Sequence, residues 1–245
     1  MALVHEFEKS GNWLFKRRSW LPLFIIIAGI GMMYLGNRQA IIFDMRDELV
    51  FLGVSLFGQI IRILTVGFTP KNTSGRNTTD GQLADELNVT GVYSIIRHPL
   101  YLGNFFMWLG PVLFLRSLGV TLVFILIYWL YYERIMFAEE QFLRRKFGDI
   151  YDKWSENVKS IFPHSFKYVR PGLPFSVKNV LKREYNSFVN IFVIFAVLDL
   201  FRNYFLSERI YLTYLWMWLL IGAGVIWMVV RTIEKRTHWL DVEGR

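Results

Sequence analysis

Apolar positions dominate four stretches of the 245-residue chain, from about Trp20 to Leu35, Leu49 to Phe68, Phe188 to Phe205 and Tyr211 to Val230. Each approaches or reaches the length of about 17 to 25 residues that a helical membrane crossing needs. Between Pro99 and Tyr132 the sole charge is Arg116, in Leu115-Arg116-Ser117-Leu118-Gly119. A turn of that kind inside a long apolar run predicts a tight hairpin of two further helices. The pattern therefore predicts an all-α, polytopic integral membrane protein with about six transmembrane helices. The first apolar run ends in Gly31-Met32-Met33-Tyr34 without a small-x-small cleavage pattern, so it reads as a retained helix rather than a signal peptide.

Polar positions gather in two segments, 69–98 and 133–187, and candidate chemistry is expected there. The first is rich in Gly, Thr, Asn and Ser from Thr73 to Gly81, a turn-forming composition. The second opens as a helix continuing the fourth span, carries Glu139, Glu140, Arg144, Arg145 and Lys146, and breaks at Gly148. Three regions follow: an N-terminal two-helix membrane region (1–68), a catalytic core (69–165) and a C-terminal two-helix membrane extension (166–245).

Lys and Arg set the orientation. The N-terminus, the two polar segments and the C-terminal tail hold 22 of them, against 5 in the opposite loops, with Arg62 left inside a span. By the positive-inside rule both termini and the polar segments are cytoplasmic. Sequons at Asn72, Asn77 and Asn88 then face the cytoplasm and read as polar loop residues. Composition agrees with a membrane protein: 53% of residues are hydrophobic and 18% aromatic. A formal net charge of +8 confined to short segments suits an anionic lipid surface better than nucleic acid. Cysteine is absent, which excludes disulfides, thiolate metal sites and cysteine nucleophiles. His5, His164 and His238 lack metal-ligand spacing, so no metal is expected. Gly29-Ile30-Gly31 and Gly36 lie in an apolar helix with no preceding strand, and read as packing positions rather than a dinucleotide fingerprint.

Arg97-His98-Pro99 places a cation, an imidazole and a proline where the third span begins. Proline suits a helix first turn, and the N–H groups exposed there can hold a carboxylate or phosphate. Glu139-Glu140 is a poor choice for stability near the cytoplasmic end of a membrane helix, where cations are preferred, and a bound cation would account for the pair. Adjacent helical residues point about 100° apart, so one carboxylate can face a ligand while the other meets Arg144 or another base. Interfacial anchoring of Arg97 and His98, and a solvated face of Glu and Arg, are the alternatives. Asp199 and Arg202, three residues apart, read as a local ion pair.

Gly91-Val92-Tyr93, Arg97-His98-Pro99, Tyr101, Gly103, Glu139-Glu140, Phe147-Gly148, Tyr151 and Trp154, closing with Val158 and Pro163, form a pattern along the chain. It closely resembles that of the isoprenylcysteine carboxyl methyltransferase and phospholipid methyltransferase superfamily. The resemblance implies S-adenosylmethionine as cofactor in a cytoplasmic pocket, bound by Leu87, Asn88, Tyr93, His98, Pro99, Leu100, Tyr101 and Glu139. Arg97 and Glu140 are assigned to the reacting centre, and Arg134, Arg144 and Arg62 to the substrate. A carboxylate or phosphate oxygen needs a cation to position it and no general base, and guanidinium groups suit it. The expected reaction is thus O-methylation of an anionic group on a membrane lipid or lipid-linked substrate.

Where the prenyl-protein enzymes have a substrate arginine, four residues before the cofactor glutamate, this chain has Ile135. The Thr73–Asn77 loop and the extended C-terminus look more like a bacterial branch that includes lipid A phosphate methyltransferases, which implies a bacterial inner membrane. Prenylcysteine carboxyl methylation, phospholipid amine N-methylation, a sterol-type reductase using NADPH, and a non-catalytic transporter or scaffold are the competing readings.

Overall fold

The computed structural model describes residues 2–18, 21–35, 44–71, 73, 76–78 and 81–245, with backbone alone at 21–22, 76–78 and 81–83. Trp20, Gly36, Arg38, Asn72 and Ser74-Gly75 lie outside the described residues, as do the side chains of Arg76 and Asn77. The fold is helical: α1 (Leu3–Lys16), α2 (Leu21–Leu35), α3 (Met45–Val66), α4 (Pro99–Phe114), α5 (Leu118–Phe147), α6 (Asp149–Asn157), α7 (Val177–Ser207) and α8 (Tyr214–Arg236). A small antiparallel hairpin, β1 (Arg76–Thr78) with β2 (Gly81–Leu83), interrupts it in the segment that composition marks as turn-rich.

Helices α3, α5, α7 and α8 are long and apolar enough to cross a membrane, whereas α2 and α4 are shorter apolar helices. At 1.5 Å per residue, the 16 residues of α4 rise roughly 24 Å, less than a hydrocarbon core of about 30 Å. The expected α4–α5 hairpin is present. Its turn puts Arg116 in the left-handed region, φ 53°, and lets Arg116 reach Asp47 at 3.4 Å. Helix starts follow local chemistry: the Asp44 carboxylate accepts from Arg46 N and Asp47 N, and Ser117 and Ser176 cap α5 and α7. Replacing Asp44 with Ala should cost about 1 kcal/mol by loss of the cap. Equilibrium unfolding in detergent micelles checks this, and an unchanged midpoint would contradict it.

Helices α3 and α4 approach through glycine. A Cβ at Gly58 would overlap the Gly103 carbonyl oxygen and lie 2.6 Å from Met107 N, and one at Gly103 would lie 2.6 Å from Arg62 Cγ. Ser55 Oγ, facing Gly110, donates to Met107 O at 2.9 Å. Small residues let helix backbones close in lipid, where apolar burial itself gives little drive to associate. Gly29 likewise faces Leu115, as its packing role requires, while among the described residues nothing stands within reach of a Cβ at Gly31.

The C-terminal extension is part of the core. Phe195 of α7 stacks on Trp216 of α8, centroids 4.7 Å apart and nearly coplanar, and Phe114 of α4 meets both edge-on. All three are fully buried. At this end Arg202 pairs with Glu48 of α3 at 2.6 Å and with Asp199. Asp199 also accepts from Asn203 Nδ2 and Thr213 N, so the expected local pair is one edge of a larger network.

Helix α1 adds an element that the apolar pattern of spans does not predict. Phe7, Gly11, Leu14 and Phe15 recur at helical spacing within a charged stretch, a signal of an amphipathic helix rather than a span. It packs on the polar half of α5: Phe7 meets Phe137 edge-on, Tyr131 donates to Leu14 O at 2.9 Å, and Glu8 pairs with Arg145.

Candidate functional site

The basic segments do converge on one end of the bundle. Ser176 N donates to Gly67 O, Lys71 N to Gly244 O and Gly91 N to Val169 O. Within this end the chain from Gly91 to His98 is held by backbone. A one-turn 3-10 helix, Gly91–Ser94, begins at Gly91 with φ +62°, a conformation that favours glycine. Arg97 N and His98 N then donate to Lys159 O and Ser160 O. Pro99 opens α4 at its first helical position, and His98 supplies no side-chain cap. The N–H groups of Leu100 and Tyr101 are therefore among the unsatisfied donors of the first turn.

Helix α5 carries Glu139 and Glu140 to this point, and His98 lies between them. Its Nε2 is 2.9 Å from Glu140 Oε1, and its Nδ1 is 3.6 Å from Glu139 Oε2. Glu139 Oε2 also accepts from Tyr101 Oη at 2.8 Å. Glu140 Oε1 accepts from Arg97 Nε at 2.9 Å, while Arg97 Nη1 donates to Ser155 O and Val158 O. The partner of the second glutamate is thus Arg97; Arg144 instead meets the exposed Asp152 at 2.7 Å. Glu139 is buried, and no hydrogen bond from a described residue reaches its Oε1.

Burial of His98 opposes its protonation, but hydrogen bonds to Glu139 and Glu140 and their charge outweigh it, and the imidazole is pushed up to about 9. A folded-state value above the unfolded one, about 6.5, stabilises the protein fully below that lower value and ceases to do so as pH rises through about 9. The thermal midpoint of the wild type should therefore fall more steeply between pH 7 and pH 10 than that of His98→Gln. Parallel pH profiles for the two proteins would contradict the assignment.

Aromatic rings form the wall behind this cluster. Tyr101 stacks on His98 with centroids 5.5 Å apart and meets Tyr132 at 4.9 Å, and Tyr128 donates to Tyr101 O. Phe147, Tyr151 and Trp154 pack with Leu143, Ala84 and Leu87 in a small separate core, which ties the loop before Gly91 to α5 and α6. Gly148 makes the intervening bend with φ 53° and ψ −129°, a region essentially restricted to glycine. The glycines at 91, 103 and 148 thus serve backbone conformation or helix approach.

The remaining expected residues fall as follows. Asn88 and Tyr93 are buried, and Tyr93 lies within electrostatic reach of Glu139. Arg97 spends most of its donors on Glu140 and on carbonyls at the C-terminal end of α6, which makes it a strut under the carboxylate rather than an unengaged cation. Arg134 lies over the Phe7 ring of α1, 3.4 Å from its centroid. Ile135 is fully buried in the apolar core. Arg62 does not snorkel: it donates from Nε and Nη2 to Glu184 and from Nη1 to Asn104. A cleft of about 790 Å³, lined among others by Val89, Ser94, Trp154, Lys159, His164 and Lys167, opens beside the loop that carries Asn88 and Tyr93. His98, Tyr101 and Glu139 do not line it. Of the residues that line it, Trp154 and Val158 belong to the motif, whereas Lys159, His164 and Lys167 are brought there by the fold.

The fold is that of a polytopic helical membrane protein, with a charged, aromatic-walled cluster at its basic end as the candidate site. The profile of the phospholipid methyltransferase family matches residues 48–150. Protein-S-isoprenylcysteine O-methyltransferase of Schizosaccharomyces pombe is 40% identical over 81 residues, 32% of this chain and 34% of that protein. A probable protein-S-isoprenylcysteine O-methyltransferase of Oryza sativa subsp. indica is 30% identical over 136 residues, 51% of this chain and 68% of that protein. A nickel-cobalt-cadmium resistance protein of Alcaligenes xylosoxydans xylosoxydans is 31% identical over 83 residues, 34% of this chain and 38% of that one. The chain thus spans about a third to two thirds of the length of these relatives. No solved structure matches it significantly. The chain belongs to the isoprenylcysteine carboxyl methyltransferase and phospholipid methyltransferase superfamily.

Proposed function

We propose that this chain is an S-adenosylmethionine-dependent methyltransferase that O-methylates an anionic group on a membrane lipid or lipid-linked substrate, with its site on the cytoplasmic face. The observation that carries it is His98 held between Glu139 and Glu140, with Glu139 Oε1 left to accept from a ligand. The donor set fits the cofactor. Glu139 suits ribose hydroxyls or an ammonium, Tyr93 and Tyr101 offer faces that attract a sulfonium, and the uncapped start of α4 offers N–H groups for a carboxylate. Pro99 and Leu100 form that start, and Leu87 and Asn88, from the loop tied to α5 and α6, are assigned to the cofactor by the family motif.

When bound, the cofactor supplies an electrophilic methyl group. The task left to the chain is to align an oxygen with it and to exclude water. Arg97 and His98 fix Glu140, which fixes the ring of His98 against Tyr101; none of these groups has to move a proton for an acceptor that is already ionised. With Ile135 buried where the prenyl-protein enzymes keep an arginine, a prenylcysteine carboxylate lacks its expected partner. A lipid phosphate, lipid A phosphate included, is the favoured acceptor, and the bacterial inner membrane the favoured location.

Two measurements test this reading. Calorimetric titration should show saturable binding of S-adenosylmethionine and none of NADPH; the reverse would indicate a reductase. Purified protein incubated with methyl-labelled cofactor and total membranes, which hold both lipids and prenylated proteins, should place label in a lipid ester. Label in prenylated protein alone, or in a lipid amine, would refute the acceptor.

A further inference from the structure

Glu184 lies on α7, beyond the stretch that matches the methyltransferase profile. Its two oxygens accept from Arg62 Nη2 and Nε at 2.8 Å each, and Gln59 Nε2 donates to Oε2 at 3.1 Å. Arg62 Nη1 donates to Asn104 Oδ1 at 2.6 Å. Asn104 lies close to Tyr132, which packs on Tyr101, the donor to Glu139. A polar path thus runs from the C-terminal extension through Arg62 to the cofactor wall. The stem of Arg62 crosses Gly103, where any side chain would displace it.

Stability alone is a weak reason for such a pair. Burying two charges costs several kcal/mol per ion before their attraction returns it, on the order of what well-packed apolar residues would supply without the risk. Ionisable groups at membrane depth characteristically mark substrate paths. The exposure is also uneven: the Arg62 side chain is 16% accessible and that of Glu184 4%. Among the described residues, three of the five guanidinium N–H groups are used, which leaves one on each Nη. Such N–H groups match a phosphate or carboxylate edge.

We propose that Glu184 is a positioning residue: clamping Nε and Nη2, it turns the remaining N–H groups of Arg62 toward the anionic oxygen of a lipid-borne acceptor entering between α3, α4 and α7. The C-terminal extension then completes the acceptor side of the site. This rests on the methyltransferase reading above, and its test separates the two.

The test compares the wild type, Glu184→Gln, Arg62→Lys and the swap Arg62→Glu with Glu184→Arg. All are purified in detergent and assayed with methyl-labelled S-adenosylmethionine against graded total membrane lipid, with cofactor Kd and thermal midpoint measured in parallel. Glu184→Gln keeps one good acceptor where two are needed. It should hold cofactor Kd within about twofold and raise the acceptor KM about tenfold, with kcat little changed. The swap restores the ion pair and should recover the thermal midpoint without recovering KM. Arg62→Lys keeps the charge but loses the fork, and should resemble Glu184→Gln. Recovery of KM by the swap, or a change of midpoint with unchanged KM in Glu184→Gln, would reduce the pair to a structural contact and overturn the inference alone. A wild type that binds no cofactor or labels no lipid would overturn the parent reading as well.

Discussion

Glu139→Gln is expected to weaken S-adenosylmethionine binding roughly 10- to 100-fold, the effect of removing the charge from one or two hydrogen bonds to a buried carboxylate. The substitution keeps the shape of the side chain, and the Tyr101 hydroxyl can still donate to the amide oxygen. What is lost is the negative charge facing His98 Nδ1 and the acceptor at Oε1. Calorimetric titration reads the change directly. His98→Ala should lose affinity too, because Glu139 and Glu140 would face each other without the imidazole between them. By contrast Arg134→Ala, whose guanidinium lies over Phe7 rather than against the glutamates, should spare cofactor affinity. Unaltered affinity in Glu139→Gln, or equal loss in Arg134→Ala, would show that the ligand sits elsewhere.

Arg202→Ala should destabilise the fold by about 3 to 5 kcal/mol, the cost of leaving buried charge uncompensated. Glu48, Asp199 and Arg202 are all buried, and the loss of the cation strands two carboxylates on two different helices. The exposed pair of Arg144 and Asp152 gives the contrast: its removal should cost under about 1 kcal/mol, since both partners are well solvated. Unfolding in mixed micelles, followed by tryptophan fluorescence, measures both. A loss below about 1 kcal/mol in Arg202→Ala would mean that water reaches this end of the bundle and pairs the carboxylates. The network lies at the end opposite His98, so whatever Arg202→Ala protein remains folded should bind cofactor normally.

Several features were legible because they are local. The α4–α5 hairpin announces itself through a lone Arg116 in an apolar run, the end of α5 through Gly148, and the start of α4 through Pro99. Glu139-Glu140 stands out because two anions near a helix end in an anionic leaflet lack a local reason. Helix α1 is hard to read from the sequence because charges dilute its apolar spacing and it is too short for a span. The β1–β2 hairpin leaves no signal, since three-residue strands carry no periodicity.

From the sequence alone come the apolar helices, the segments in which basic residues gather and the motif shared with the family, since hydropathy, charge bias and motif spacing are properties of neighbours in the chain. Which groups face one another was settled by tertiary structure. Of the basic groups open to Glu140 it is Arg97, not Arg144, that braces it, Glu184 reaches Arg62 across 122 positions, and Glu48 joins Arg202 across 154. Such pairs are fixed by helix packing through close-approach positions such as Gly58 and Gly103. No local signal encodes the distance between two residues that only a folded bundle brings together.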